Sequence, residues 1–269
     1  MTHSFPPWAE TPGAGSGEIA EAVLVEVVED QIMVITLNRP QVKNAIDSAL
    51  AMGLHQALRT LDERDDLRAG VLTGTGGTFC AGMDLKAFAR VGKPRGAREL
   101  LRAGTKKPLV AAIEGAALGG GLELALMADL IVAASCAQLG LPEARVGLFP
   151  SGGALQRLQG LVPRSVISEM AFTGEPMNAE RAYQLGLVSR LTSAGEALTD
   201  AVSLARRVTR CAPLGVLAAK ELLRELPRAS ITEFWRRQAE LADAVGCSDD
   251  AREGALAFAE KRKPMWRNT

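Results

Sequence analysis

The sequence predicts an α/β core followed by a region built mainly of helices. Three observations support this. Short β-branched or apolar runs alternate with helical patterns through the first 150 residues. Two glycine-rich loops each follow one of those apolar runs, as at the end of a buried strand. From about residue 160 helical patterns dominate and carry recognisable start signals.

Residues 1–20, rich in proline, glycine and serine as far as Glu18, read as a mobile tail. Val23 to Val28 and Ile32 to Leu37 are β-branched runs separated by Glu29-Asp30-Gln31, which predicts a hairpin. A helix is expected from an Asp47 N-cap to about Arg64. Ala69 to Thr73 reads as a strand ending in the loop Gly74-Thr75-Gly76-Gly77-Thr78. The segment Leu85 to Lys107, rich in arginine, glycine and lysine, reads as exposed and partly mobile. Leu109 to Ile113 is a second buried strand, leading through Gly115 to Gly119-Gly120-Gly121 and a helical Leu122 to Met127. Leu130 to Ala134 and Leu139 to Leu141 are strand-like. Beyond them, Asn178 caps a helix ending near Gly186, and Pro213 suits a first helical turn. Ser230 and Glu233 form a capping box, and a last helix runs from about Asp249 to Arg262.

Composition excludes several function classes. Lysine plus arginine equals aspartate plus glutamate, 31 each, so neither nucleic acid nor an anionic membrane is expected as a partner. Cys80, Cys136, Cys211 and Cys247 form no C-x-x-C pair, which points away from a zinc site or a disulfide framework and toward a reduced, cytoplasmic setting. No apolar run reaches the roughly 20 residues a membrane span needs. The first lysine or arginine is Arg39, which argues against a secretory or transit peptide. The two histidines are His3 in the tail and His55 within an amphipathic helical pattern, so a histidine-based nucleophile system has little to build on. Acid–base chemistry is therefore expected of carboxylates.

The loops narrow the chemistry. Gly74, Gly76 and Phe79 lack the third glycine of a dinucleotide fingerprint, and neither loop ends in G-K-[ST]. Glycines at a strand-to-helix turn instead allow a ligand carbonyl close to the main chain, where amides favour developing negative charge. Gly119 to Gly121 before Leu122 has that layout, and close helix–strand packing is the alternative for a lone glycine triplet. Glu123 lies inside an otherwise apolar helix and Glu143 follows Pro142 after a short strand. Each alone reads as an ordinary charge; two carboxylates near a candidate oxyanion hole can divide acid and base roles. Periodicity does not show that they face each other.

Several segments together resemble the crotonase (enoyl-CoA hydratase/isomerase) superfamily. Thr78-Phe79-Cys80-Ala81-Gly82-Met83-Asp84-Leu85-Lys86 is similar to its first oxyanion motif, and Ala116-Ala117-Leu118-Gly119-Gly120-Gly121-Leu122-Glu123 to its second. Leu141-Pro142-Glu143 resembles the motif of the second catalytic glutamate, Asn38-Arg39-Pro40 with Asn44-Ala45 the N-terminal signature, and Phe258 to Arg262 the C-terminal helix. The resemblance runs from about residue 23 to the end. It implies a spiral of ββα units over residues 21–200 and a helical trimerisation region over 201–269, in a trimer or a dimer of trimers. It implies an acyl-CoA thioester substrate, with no cofactor beyond the coenzyme A of that substrate and no metal. By the same resemblance Glu123 and Glu143 are catalytic and the amides of Ala81 and Gly120 hold the thioester oxygen. Lys43, Ala45, Ala81, Gly82, Met83, Asp84, Leu85, Lys86, Gly119 and Pro142 line the substrate, and Lys261 reaches the coenzyme A of a neighbouring subunit.

Within the superfamily, two glutamates imply hydration or dehydration of a 2-enoyl-CoA, as in enoyl-CoA hydratases. Leu139 to Arg145 and the ending Glu260 to Trp266 are also similar to carnitinyl-CoA dehydratases, the nearest alternative. An isomerase is a further alternative; dienoyl-CoA isomerases carry an acid where this chain has Ser151. A non-catalytic homologue that binds coenzyme A or RNA is the alternative of a different class.

Overall fold

The computed structural model describes residues 21–29, 31–92, 94–225, 231–267 and 269. The expected tail, His3 and the Ser230 capping box lie outside them. The hairpin forms as read, from β1 (Val23–Val28) and β2 (Ile32–Leu37), paired antiparallel. To β2 are added in parallel β3 (Ala69–Gly74), β4 (Leu109–Ile113), β6 (Leu130–Ala134) and β9 (Arg190–Thr192), giving a six-stranded sheet in the order β1-β2-β3-β4-β6-β9. A second sheet contains β5 (Ala116–Leu118), β7 (Gln138–Gly140) and β8 (Met177–Asn178), with β5 and β7 parallel.

Both faces of the large sheet are covered, which is why its central strands are apolar throughout. Met33, Ile35 and Leu37 of β2 point into the main core with Leu72, Leu109, Ala111 and Ile131. Ile32 and Val34 point the other way and pack with Val71, Val110 and Val132 under Ala197, Ala201 and Leu204. Those last three belong to α8 (Ala197–Thr209), so this helix is part of the core. The expected boundary at residue 200 falls inside it, because the second sheet face must be buried and α8 buries it.

The first long helix, α1 (Ser48–Glu63), is capped by Asp47, whose Oδ1 accepts the Leu50 N–H at 2.9 Å. Its apolar side, Leu50, Leu54, Leu58 and Leu61, joins the core. His55 lies on the same helix, half-buried, and burial lowers its pKa. Leu85 to Lys107 departs from the sequence reading. It forms two short helices, α2 (Leu85–Val91) and α3 (Ala97–Ala103), and Leu100 and Leu101 are buried. Its many basic residues mask the apolar ones in sequence, of which Leu100 and Leu101 are buried while Leu85 and Val91 stay exposed.

The helical part continues as expected. The helices α5 (Ala154–Leu158), α6 (Arg164–Thr173) and α7 (Ala179–Gln184) precede β9, and Asn178 caps α7 through the Arg181 N–H. After α8 come α9 (Pro213–Glu225), α10 (Ile231–Gly246) and α11 (Asp249–Ala259). Buried Lys220 anchors α9 to the sheet: its Nζ donates to Thr105 Oγ1 and the Lys107 carbonyl and pairs with Asp129 at 2.7 Å. Among the described residues, no helix is long and apolar enough to cross a membrane.

Candidate active site

The parallel pairing of β5 with β7 builds the site. Leu118 lies beside Gly140, so the chain leaves both strands at the same end. After β5 it turns through Gly119 into α4 (Gly120–Ala125), which begins two residues before the sequence reading and carries Glu123. After β7 it enters a 3-10 turn, Pro142–Val146, which carries Glu143. Two carboxylates twenty residues apart in sequence thereby face one cavity of about 430 Å³, within the usual range for ligand pockets.

A third segment closes the floor. Cys80 pairs with Ala117 of β5 on one side, and Met83 with Ile46 on the other, both in parallel. The fit with α4 is tight: a β-carbon on Gly121 would overlap the Cys80 carbonyl oxygen. Gly82 supplies the turn, with φ +101°, a conformation glycine adopts without strain.

Glu123 is 4% exposed, and its Oε1 accepts the N–H groups of Gly152 at 2.7 Å and Ala154 at 3.3 Å. Burial raises its pKa, opposed by those amides and by the charge of Arg157. Arg157 in turn donates to the Gly152 and Leu101 carbonyls, tying α3 to the loop that grips Glu123. Glu143 is different. Its Oε2 is buried and has no hydrogen-bond partner among the described residues. Burial raises its pKa to about 7, its own backbone opposing the shift and the Glu123 charge adding to it. One carboxylate is thus held by amides and the other left to keep its proton near neutrality, a division suited to paired base and acid.

The amides are also sorted. The Ala81 N–H, the expected oxyanion donor, is already taken by the Lys43 carbonyl at 3.0 Å. Two residues on, the bridge to Ile46 uses Gly82 O and Asp84 N, which leaves the Met83 N–H turned the other way. Neither Met83 N–H nor Gly120 N–H has an acceptor among the described residues. They are close: a β-carbon on Gly120 would stand 3.7 Å from the Met83 nitrogen.

Of the residues expected at the substrate, Ala81, Gly82, Met83, Leu85, Gly119, Gly120, Glu123, Pro142 and Glu143 line this cavity. Ala45 and Asp84 do not: the Ala45 carbonyl accepts from Arg39, and Asp84 caps α2 and pairs with the same arginine. Lys43, Lys86 and Lys261 are exposed and lie outside the lining. The sequence reading missed Ile46, Phe88, Leu101, Arg145, Phe149 and Gly152 as lining residues. Only Gly152 carried a signal, as half of a glycine pair after Pro150 and Ser151.

Comparison with known proteins agrees with this architecture. Residues 28–269 match the enoyl-CoA hydratase/isomerase family. The carnitinyl-CoA dehydratase of Salmonella arizonae is 41% identical over 250 residues, which is 88% of this chain and 95% of that protein. The crystal structure of an enoyl-CoA hydratase from Mycobacterium tuberculosis H37Rv is 45% identical with a TM-score of 0.88, covering 93% of this chain and 100% of that one. One from Mycobacterium marinum is 44% identical, also with a TM-score of 0.88 and the same coverage.

Proposed function

The chain belongs to the enoyl-CoA hydratase/isomerase family, or crotonase superfamily, and from that premise we propose that it is an enoyl-CoA hydratase adding water reversibly across a 2-enoyl-CoA double bond. The observation that carries this reading is the pair Glu123 and Glu143 facing one cavity beside two amides that have no acceptor among the described residues. A thioester oxygen accepting from the N–H groups of Met83 and Gly120 would make Cβ electrophilic and stabilise the enolate-like charge that follows. Losing one such donor typically slows a reaction about 100- to 1000-fold. Glu123, held by amides, activates the water. Glu143 exchanges the proton at Cα, as its raised pKa allows.

The coenzyme A moiety is expected along Ala81 to Asp84, with exposed Lys43 and Lys86 near its phosphates and Lys261 supplied by a neighbouring subunit of a trimer or hexamer. The four cysteines are free thiols, which supports a reducing, cytoplasmic setting.

Dehydration of carnitinyl-CoA is the second reading, favoured by the 41% identity to a curated dehydratase. The cavity wall speaks for a neutral acyl chain instead. It is largely apolar, through Leu85, Phe88, Leu101 and Leu148, while Arg145 turns its guanidinium to the Thr173 carbonyl and Glu175. The test is the loss of enoyl-thioester absorbance with crotonyl-CoA, longer enoyl-CoAs and crotonobetainyl-CoA. The proposal expects an aliphatic ester to be turned over fastest. Preference for crotonobetainyl-CoA would establish the second reading. Inert esters with double-bond migration would make the protein an isomerase, and salt-dependent RNA binding without any turnover would make it a binding protein.

A further inference from the structure

Arg39 lies outside the cavity lining, and the chemistry above gives it no part. Its side chain is nevertheless only 17% exposed and holds three acceptors. Its Nη2 stands 3.0 Å from Asp47 Oδ2 and 3.2 Å from Asp84 Oδ2, and its Nη1 donates to the Ala45 carbonyl. The two aspartates use their other oxygens as helix caps: Asp47 Oδ1 accepts the Leu50 N–H and Asp84 Oδ1 the Ala87 N–H. Burial pushes the Asp84 carboxyl up, but the Ala87 N–H and Arg39 outweigh it and hold its pKa below its ordinary value.

These contacts straddle one structural joint. Between Ala45 and Asp47 lies Ile46, which accepts the Asp84 N–H at 3.0 Å and donates its own N–H to the Gly82 carbonyl at 2.7 Å. That joint fixes Met83 and aims its N–H away from Ile46. Arg39 grips the Ile46 side through the Ala45 carbonyl and Asp47, and the Met83 side through Asp84. Without the guanidinium, two partly buried carboxylates would be left close together with like charge, pushing the two sides apart.

We infer that Arg39 is a positioning residue: it clamps the Ile46–Met83 bridge and so fixes the amide that receives the thioester oxygen. The inference rests on the oxyanion role proposed above for Met83. Displacing a reacting group's partner by about 1 Å can cost about 100-fold in rate, so a residue that never touches substrate can matter this much. Lysine would keep the charge but lose the planar fork that reaches both carboxylates and a carbonyl at once.

The test uses butyryl-CoA labelled with carbon-13 at the thioester carbonyl, a saturated ester that cannot be hydrated, and isotope-edited infrared spectroscopy. On binding to the wild-type protein the carbonyl band should move to lower frequency. In Arg39→Met at least about half of that displacement should be lost, and crotonyl-CoA turnover should fall by about 10- to 100-fold. Butyryl-CoA affinity should stay within about threefold, because Arg39 touches no substrate, and Arg39→Lys should lie between the two. Asp84→Asn keeps the cap oxygen and weakens the arginine contact, so it should show a smaller loss of the same kind, and it carries the test if Arg39→Met does not fold. Wild-type displacement and turnover in Arg39→Met, or in Asp84→Asn where that variant stands in, would overturn the clamp. No displacement in the wild type would overturn the oxyanion reading on which the clamp rests.

Discussion

Glu143 is stabilising in one protonation state and costly in the other. Its pKa in the folded protein, about 7, lies above the ordinary value of 4.5, so between those values the folded chain binds more protons than the unfolded one. Stability contributed by this group therefore falls as pH rises through that window and stays low above it. Allowing for screening at a half-buried site, the cost is on the order of 1–2 kcal/mol. Glu143→Gln removes the charge, so thermal melts at pH 8 should show it melting about 3–6 °C above wild type. The gap should close toward pH 4.5. An equal gap at both pH values would mean that Glu143 carries no buried charge. The two carboxylates were singled out by the resemblance of their segments to the crotonase motifs, since each alone reads as an ordinary charge. Their meeting was not legible, because it depends on the pairing of β5 with β7, a contact between distant segments that leaves no local pattern. Which backbone N–H is left without an acceptor was not legible for a similar reason: the Ala81 N–H is taken by Lys43 and the Met83 N–H is turned away by the bridge to Ile46, both far away in sequence.

Among the elements, the buried strands were the most readable. β2, β4 and β6 fall where continuous apolar runs placed them, because burial on both faces writes itself into composition, and the edge strand β1 falls on its β-branched run although most of it is exposed. β5, only Ala116-Ala117-Leu118, is too short to rise above its glycine-rich surroundings. The helices α2 and α3 were hidden by charge, although they bring Leu85, Phe88, Ala97 and Leu101 to the cavity. If these helices form the acyl wall, Leu101→Ala should shift the preference of kcat/KM toward longer enoyl-CoAs. It should also cost about 2–4 kcal/mol in denaturant unfolding, since Leu101 is buried. An unchanged chain-length profile would move the acyl group elsewhere in the cavity.

On the scale of the whole molecule, the two apolar core clusters end with α8, and the last three helices add only a few buried residues such as Lys220, Asp250 and Ala257. Those helices and the segment after them leave Leu223, Trp235, Leu256 and Met265 largely exposed, with Trp235 at 58% and Met265 at 70%. Scattered apolar residues are ordinary on a surface, and these four are spread over residues 223–265, the part expected to meet neighbouring subunits. Sedimentation should find trimers or hexamers, and Trp235→Glu combined with Leu223→Glu should shift them toward smaller species. A monomeric wild type would contradict the assembly.

In the proposed mechanism Glu123 and Glu143 together hydrate a thioester bound at the amides of Met83 and Gly120. The most direct measurement compares crotonyl-CoA turnover in wild type, Glu143→Gln and Glu123→Gln while butyryl-CoA binding is followed by calorimetry. Turnover should fall by about 100- to 10,000-fold in each variant with binding retained. Near-wild-type turnover in either variant would contradict the paired acid–base mechanism.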